Sequence, residues 1–240
     1  MSGRWSDAAL AAVLCAVDPV GCGGAVLRAR AGPVRERWLE RLRALLPAGT
    51  PLRRVPLHAG DERLLGGLDL AATLQAGRPM AQTGLLAEAD GGLLLLAMAE
   101  RVEPGTAARL AAVLDTGELT LERDGLALRR PARLGVVALD EGDGEDERLP
   151  TALADRLAFR LELDGLRLGE VAAAEAWDTD DVAAARAGLA AVEVDDEFVQ
   201  ALCAAASALG VDSLRAPLLA LRVARAAAAL DGRAAVAAAD

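Results

Sequence analysis

The hydrophobic and polar positions along the chain fall into two stretches with different rhythms. Residues 7–17 carry apolar side chains at helical spacing, with Ser6 or Asp7 as the expected N-cap. A glycine-rich turn, Val20 to Gly24, then leads into a short apolar run, Ala25 to Ala29, which reads as a strand. Residues 34–46 form an amphipathic helix, with Val34, Trp38, Leu42 and Leu45 on one face and Arg35, Arg37, Arg41 and Arg43 outside it. The order helix, strand, helix is the opening of a nucleotide-binding α/β unit.

Arg53 to Leu57 is a weaker strand candidate, followed by a polar loop and a short helix near Leu68 to Gln75. Leu93 to Ala97 is a continuous apolar run bounded by Gly91-Gly92, which suits a parallel strand buried on both faces. Pro104 opens a helix that residues 105–115 continue. Glu118 to Leu128 alternates around Asp124-Gly125, a strong hairpin signal. Leu134 to Leu139 is another buried strand and Ala158 to Leu163 a final one.

After Gly165 the pattern holds only helices, roughly 168–177, 179–191, 196–209 and 213–230. The expected architecture is α/β: a parallel sheet sandwiched by helices over residues 1–165, then a small all-helical lid over 166–240. Asp140 to Arg148 holds six acids in nine residues and is expected to be a solvated loop. The sequence stops in an Ala-rich stretch, Ala234 to Asp240, with no closing cap, as a piece of a longer chain would.

Composition narrows the function classes. The chain is 53% hydrophobic but has only two Phe, three Trp and no Tyr, so its core must be aliphatic. A net charge of −10 repels phosphate backbones, which argues against nucleic-acid binding and for a protein partner. Cys15, Cys22 and Cys203 form no CxxC pair, and the N-terminus lacks a secretion signal, so three reduced thiols in a cytoplasmic protein are expected. No apolar run approaches the roughly 18 residues of a membrane span. His58, the only histidine, lacks partners at metal spacing, and no metal site is expected.

All 26 basic side chains are arginine. A GC-rich genome would produce that bias, so lysine's absence matters chiefly in one loop. Gly21-Cys22-Gly23-Gly24 has the composition of a phosphate cradle but precedes its strand. A P-loop must follow a strand and open a helix, so that backbone N–H groups converge on the anion. The correct location is the turn after Ala25 to Ala29. There Ala29 and Val34 stand at the glycines of G-x-x-x-x-G-K-[ST], Arg35 at the lysine and Glu36 at the magnesium-binding hydroxyl, with Gly32 and Pro33 between.

Val34 would crowd a phosphate, Glu36 would repel it, and Pro33 removes a donor. Two readings remain at this point: a structural turn, or a weak anion site at Arg35. The second ATPase element is a buried strand ending in Asp-Glu, which positions Mg²⁺ and polarises water. The strand Leu93 to Leu96 ends instead in Ala97-Met98. Glu100, nearby, is expected to point elsewhere.

These positions sit within a wider pattern that resembles the AAA+ module of the magnesium chelatase family, and within it the D subunit. The matches are Ala16-Val17-Asp18-Pro19, Leu64-Leu65-Gly66-Gly67-Leu68-Asp69-Leu70 and Gly84-Leu85-Leu86-Ala87-Glu88-Ala89. Further on come Gly117-Glu118, Glu122-Arg123-Asp124-Gly125, Arg130-Pro131-Ala132-Arg133 and Leu153-Ala154-Asp155-Arg156, then Leu214-Arg215 and Arg222-Val223-Ala224-Arg225-Ala226. They cover nearly the whole chain in order. The family's I subunit is an active ATPase with intact Walker motifs. Departure from both motifs suits the D subunit, whose module is degenerate in some organisms. The sensor-1 Asn, expected near Asp140 or Glu141, is absent.

The resemblance implies that Arg156 is an arginine finger acting in trans on a γ-phosphate bound to a neighbour. The alternative for Arg156 is a salt bridge with Asp155 or the acidic loop. The resemblance makes Arg215 the sensor-2 arginine and the 124–125 hairpin a projecting insertion. The implied function is a non-hydrolysing AAA+ platform in a ring with the I subunit, with ATP and Mg²⁺ held at the interface between them. ATP hydrolysis there would drive Mg²⁺ insertion into protoporphyrin IX for (bacterio)chlorophyll, on a large porphyrin-binding H subunit. The family's D subunit continues with an acidic, proline-rich linker and an integrin-I-like domain. The competing readings are a weak ATPase using Arg35 in place of lysine, and a structural adaptor of another AAA+ complex.

Overall fold

The computed structural model describes residues 3–123, 125–144, 146–171 and 177–237. In chain order it runs α1 (Arg4–Val17), β1 (Gly24–Arg28), α2 (Pro33–Leu45), β2 (Leu52–Val55), α3 (Asp61–Leu65), β3 (Gly66–Leu68), α4 (Leu70–Ala76), β4 (Ala81–Thr83), α5 (Leu85–Glu88) and β5 (Leu93–Leu96). Then follow α6 (Pro104–Thr116), β6 (Glu118–Arg123), β7 (Leu126–Pro131), β8 (Gly135–Asp140), α7 (Thr151–Ala154), β9 (Phe159–Glu162), α8 (Thr179–Gly188), α9 (Asp196–Ala208) and α10 (Arg215–Leu230).

Five strands make one parallel sheet in the order β2-β5-β8-β1-β9. Its inner strands are apolar because helices cover both faces. The two-residue period of a strand sorts their side chains. Leu93, Leu95, Val137 and Leu139 face α1, α2, α8 and α10, whereas Leu94, Leu96, Val136 and Ala138 face α5 and α6. Trp38 of α2 is fully buried in the first layer, and its Nε1–H donates to the Ala8 carbonyl of α1 at 2.7 Å. Ala226, Ala228 and Ala229 of α10 are small side chains buried in the same layer as α1 and α8. The result is an α/β fold, a parallel sheet sandwiched by helices and followed by a run of helices.

Several expectations need correction. Helix α1 begins at Arg4 with Gly3 as its N-cap, so Ser6 and Asp7 lie in its first turn. Arg35 and Arg41 are buried, because α2 is covered by α1 and α8 as well as by the sheet. The expected helix at 68–75 is α4, set between the antiparallel pair β3 and β4, whose Gly-rich and polar triplets carry no strand rhythm. The hairpin is β6 with β7, although Asp124 lies outside the described residues. Of the helix expected at 168–177, the described part is a single 3-10 turn, Leu168–Glu170, while residues 172–176 lie outside the description. Residues 238–240 of the Ala-rich stretch also lie outside it. No described helix is long and apolar enough to cross a membrane.

Candidate functional site

The parallel sheet has two edges, and the candidate residues divide between them. At the C-terminal edge, the turn after β1 carries Ala29, Gly32, Arg35 and Glu36. Several of its polar groups have partners within the chain, although Arg35 Nε is buried without a hydrogen-bond partner among the described residues. The Ala29 N–H donates to the Asp140 carbonyl and the Arg30 N–H to the Asp164 carboxylate, both at 3.0 Å. Pro33 offers no N–H. Arg35 turns inward and donates through Nη1 to Glu141 Oε1 at 2.7 Å, with its side chain only 10% exposed.

The acidic segment after β8 is exposed at 143–144 and 146–148, as expected of a solvated loop, but its start at 140–142 is tied into the chain. Arg28 donates to the carbonyls of Gly142 at 2.7 Å and Gly144 at 2.9 Å, and lies 3.6 Å from the buried Asp140 carboxylate. Arg30 pairs with Asp143 at 2.7 Å. Arg28 of β1, Arg30 of the turn and Arg35 of α2 tie the loop to the turn, and for the mostly buried Arg28 and Arg35 the loop supplies the anions their burial requires. In this turn Arg35, at the lysine position, is paired with Glu141, and the N–H groups of Ala29 and Arg30 have partners within the chain.

Ala97 and Met98 follow β5 at the same edge, with Met98 in the left-handed region at φ 49°. No carboxylate stands at either position. Glu100 does not point away as expected: its side chain is 2% exposed and accepts from the Glu141 N–H at 2.9 Å. A 3-10 turn, Ala99–Arg101, carries it back towards the end of β8. It is thus engaged in holding the loop that covers the turn.

Arg156 lies at the opposite edge, just before β9. The glycine cluster explains how it gets there. Gly23 has φ +64°, and a Cβ on it would meet the Arg156 carbonyl oxygen at 2.0 Å; a Cβ on Gly24 would meet the Val136 carbonyl oxygen at 2.0 Å. These glycines permit close backbone crossing at the start of β1, and so serve packing instead of a phosphate. The Cys22 carbonyl accepts from the Ala158 N–H, fixing the approach to β9.

The partner of Arg156 is neither Asp155 nor the acidic loop. Its Nε donates to Asp115 Oδ1 at 2.8 Å, its Nη2 to Asp115 Oδ2, and its Nη1 to the Ala152 carbonyl at 2.5 Å. The paired guanidinium holds the Asp115 carboxyl below its usual range, and the hydrogen bond to Asp115 raises Arg156. Arg215, at the start of α10, joins the same group, 3.5 Å from Asp115 and 3.4 Å from Asp155, while Ser213 donates to Asp155 at 2.7 Å. Arg215 therefore lies beside Arg156 and apart from Ala29–Glu36. Asp115, Arg156 and Arg215 line, with Arg222 and Leu218, a pocket of about 190 Å³.

Sequence reading missed Asp115, whose one signal is an acid in the last turn of a helix, where it opposes the helix dipole. Among the described residues, no group of His, Cys, Asp or Glu is arranged to hold a metal ion.

Comparison with known proteins places this geometry in a family. An AAA lid domain model matches residues 199–240. The magnesium-chelatase 60 kDa subunit of Cereibacter sphaeroides is 47% identical over 98% of this chain, which spans 38% of that protein's length. The 38 kDa subunit of Rhodobacter capsulatus is 30% identical over 96% of this chain and 80% of its own. A solved structure from Cytophaga hutchinsonii, provisionally described as an ATPase, superposes with a TM-score of 0.65 over 95% of this chain and 76% of its own, at 16% identity. The chain belongs to the AAA+ subunit family of magnesium chelatase.

Proposed function

We propose that this chain is a D-type platform subunit of magnesium chelatase that does not itself turn over ATP. Its α/β body, residues 1–165, and helical lid, 166–240, would join a ring with an ATPase I subunit. Arg156 would reach a γ-phosphate bound to that neighbour. Hydrolysis in the ring would drive insertion of the substrate Mg²⁺ into protoporphyrin IX, held by a separate large H subunit. The higher identity to a 60 kDa subunit than to a 38 kDa one supports the D assignment.

One observation carries the reading: Arg156 and the turn at Ala29–Glu36 lie at opposite ends of the parallel strands. Strand β1 alone spans roughly 13 Å at about 3.3 Å per residue, so Arg156 cannot serve its own chain's turn. An arginine finger acts across an interface, where its planar, permanently charged group meets the charge that develops on the transferring phosphate. The chain's own turn, meanwhile, is closed by Glu141 and Asp164, and the slot at Ala97-Met98 lacks both carboxylates.

The reading is tested by mixing this chain with an active I subunit and following ATP turnover. The isolated chain should show none, and Arg156→Ala should fold but lower turnover of the mixture. Turnover by the isolated chain, or a silent Arg156→Ala, would reject it.

A further inference from the structure

We propose that Asp115 is a positioning residue for Arg156, holding the guanidinium in one orientation with an N–H on each terminal nitrogen left for phosphate, and coupling it to Arg215 of the lid. The inference rests on the reading of Arg156 as a finger. An arginine has five N–H donors. The Asp115 carboxylate takes the edge formed by Nε and Nη2, and the Ala152 carbonyl takes one donor of Nη1. Two N–H groups remain, one on each terminal nitrogen, to meet phosphate oxygens.

The position of Asp115 has no simpler explanation in its own helix. A carboxylate in the last turn of α6 faces the negative end of the helix dipole, and that turn contains no basic residue. Two guanidiniums from other elements offset this cost: Arg156 binds both oxygens, and Arg215 approaches Oδ2. Asp155 and Ser213 complete a chain of contacts from α6, through the turn before β9, to the start of α10. A flexible side chain fixed before the neighbour arrives loses less freedom when phosphate binds, and so acts on the rate of the chemical step. Asp115 touches no nucleotide in this role.

The test is a double-mutant cycle in the mixed complex with an I subunit, reading ATP turnover for Asp115→Ala, Arg156→Ala and the pair. Thermal unfolding checks each fold, and Asp115→Asn replaces the alanine variant if that fails to fold. Asp115→Ala should lower kcat about tenfold with KM for ATP unchanged, the size expected for loss of an orienting partner. Asp115→Glu should recover part of the loss. On the Arg156→Ala background, Asp115→Ala should cost nothing more. Wild-type kcat in Asp115→Ala, or the same factor lost again on that background, overturns the proposal. If Arg156→Ala lowers turnover and Asp115→Ala does not, the finger stands and the positioning role falls. A silent Arg156→Ala removes both.

Discussion

Arg35 donates to Glu141 at 2.7 Å, so the basic group in the lysine slot after β1 is bound to the chain's own carboxylate. An arginine there satisfies its charge internally, because the loop after β8 brings acids within reach. Glu141→Ala should lower stability by about 1–2 kcal/mol, because the mostly buried Arg35 Nη1 would keep only its long bond to the Ala29 carbonyl. Urea unfolding would measure it. ATP turnover should not appear, since the carboxylates missing at Ala97-Met98 are still missing; measurable turnover would show that Glu141 alone had closed the site.

Trp38 is the largest fully buried side chain and joins α2 to α1 through the Ala8 carbonyl. Trp38→Phe should cost about 1 kcal/mol for the lost hydrogen bond, and Trp38→Ala about 3–5 kcal/mol for the cavity. Equal costs for the two variants in denaturant titration would refute this division.

The contact with Arg156 holds the Asp115 carboxyl below its usual range, which fixes a sign. A carboxylate with a depressed pKa adds stability above the ordinary carboxylate range and loses it as pH falls through the depressed value. The stability difference between wild type and Asp115→Asn should therefore be present at neutral pH and shrink in acid. A difference that stays constant with pH would contradict the pairing.

Burial pushes Cys15 up to about 12 and raises Cys22 as well, whereas Cys203 is exposed. A thiol reagent at neutral pH should modify Cys203 alone in the native chain, with the other two reacting only on unfolding. Mass spectrometry after brief labelling would decide, and early modification of Cys15 would count against the packing of α1.

The legible parts of the fold were those with local signals. Strand β5 is apolar throughout and β8 over residues 136–139, both buried on both faces, while β1 carries a shorter apolar run, residues 25–27, before Arg28. Strands β3 and β4 lie outside the main sheet and carry no such run. The burial of Arg35 and Arg41 was hidden because charge suggests solvent until a partner or a covering helix is known. Asp115 and Arg156 are separated by 41 positions and meet through glycine crossings and a helix end, which no local pattern announces. The altered turn and the Asp155-Arg156 pair were legible as motifs, but their separation to opposite edges of the sheet came only from topology.

The most direct measurement of the central claim is ATP hydrolysis by the mixed complex of this chain with an active I subunit, wild type against Arg156→Ala. If the chain serves a neighbour's site while its own stays closed, the variant should assemble normally and lose at least about tenfold in turnover. Full turnover with Arg156→Ala in an assembled complex would contradict it.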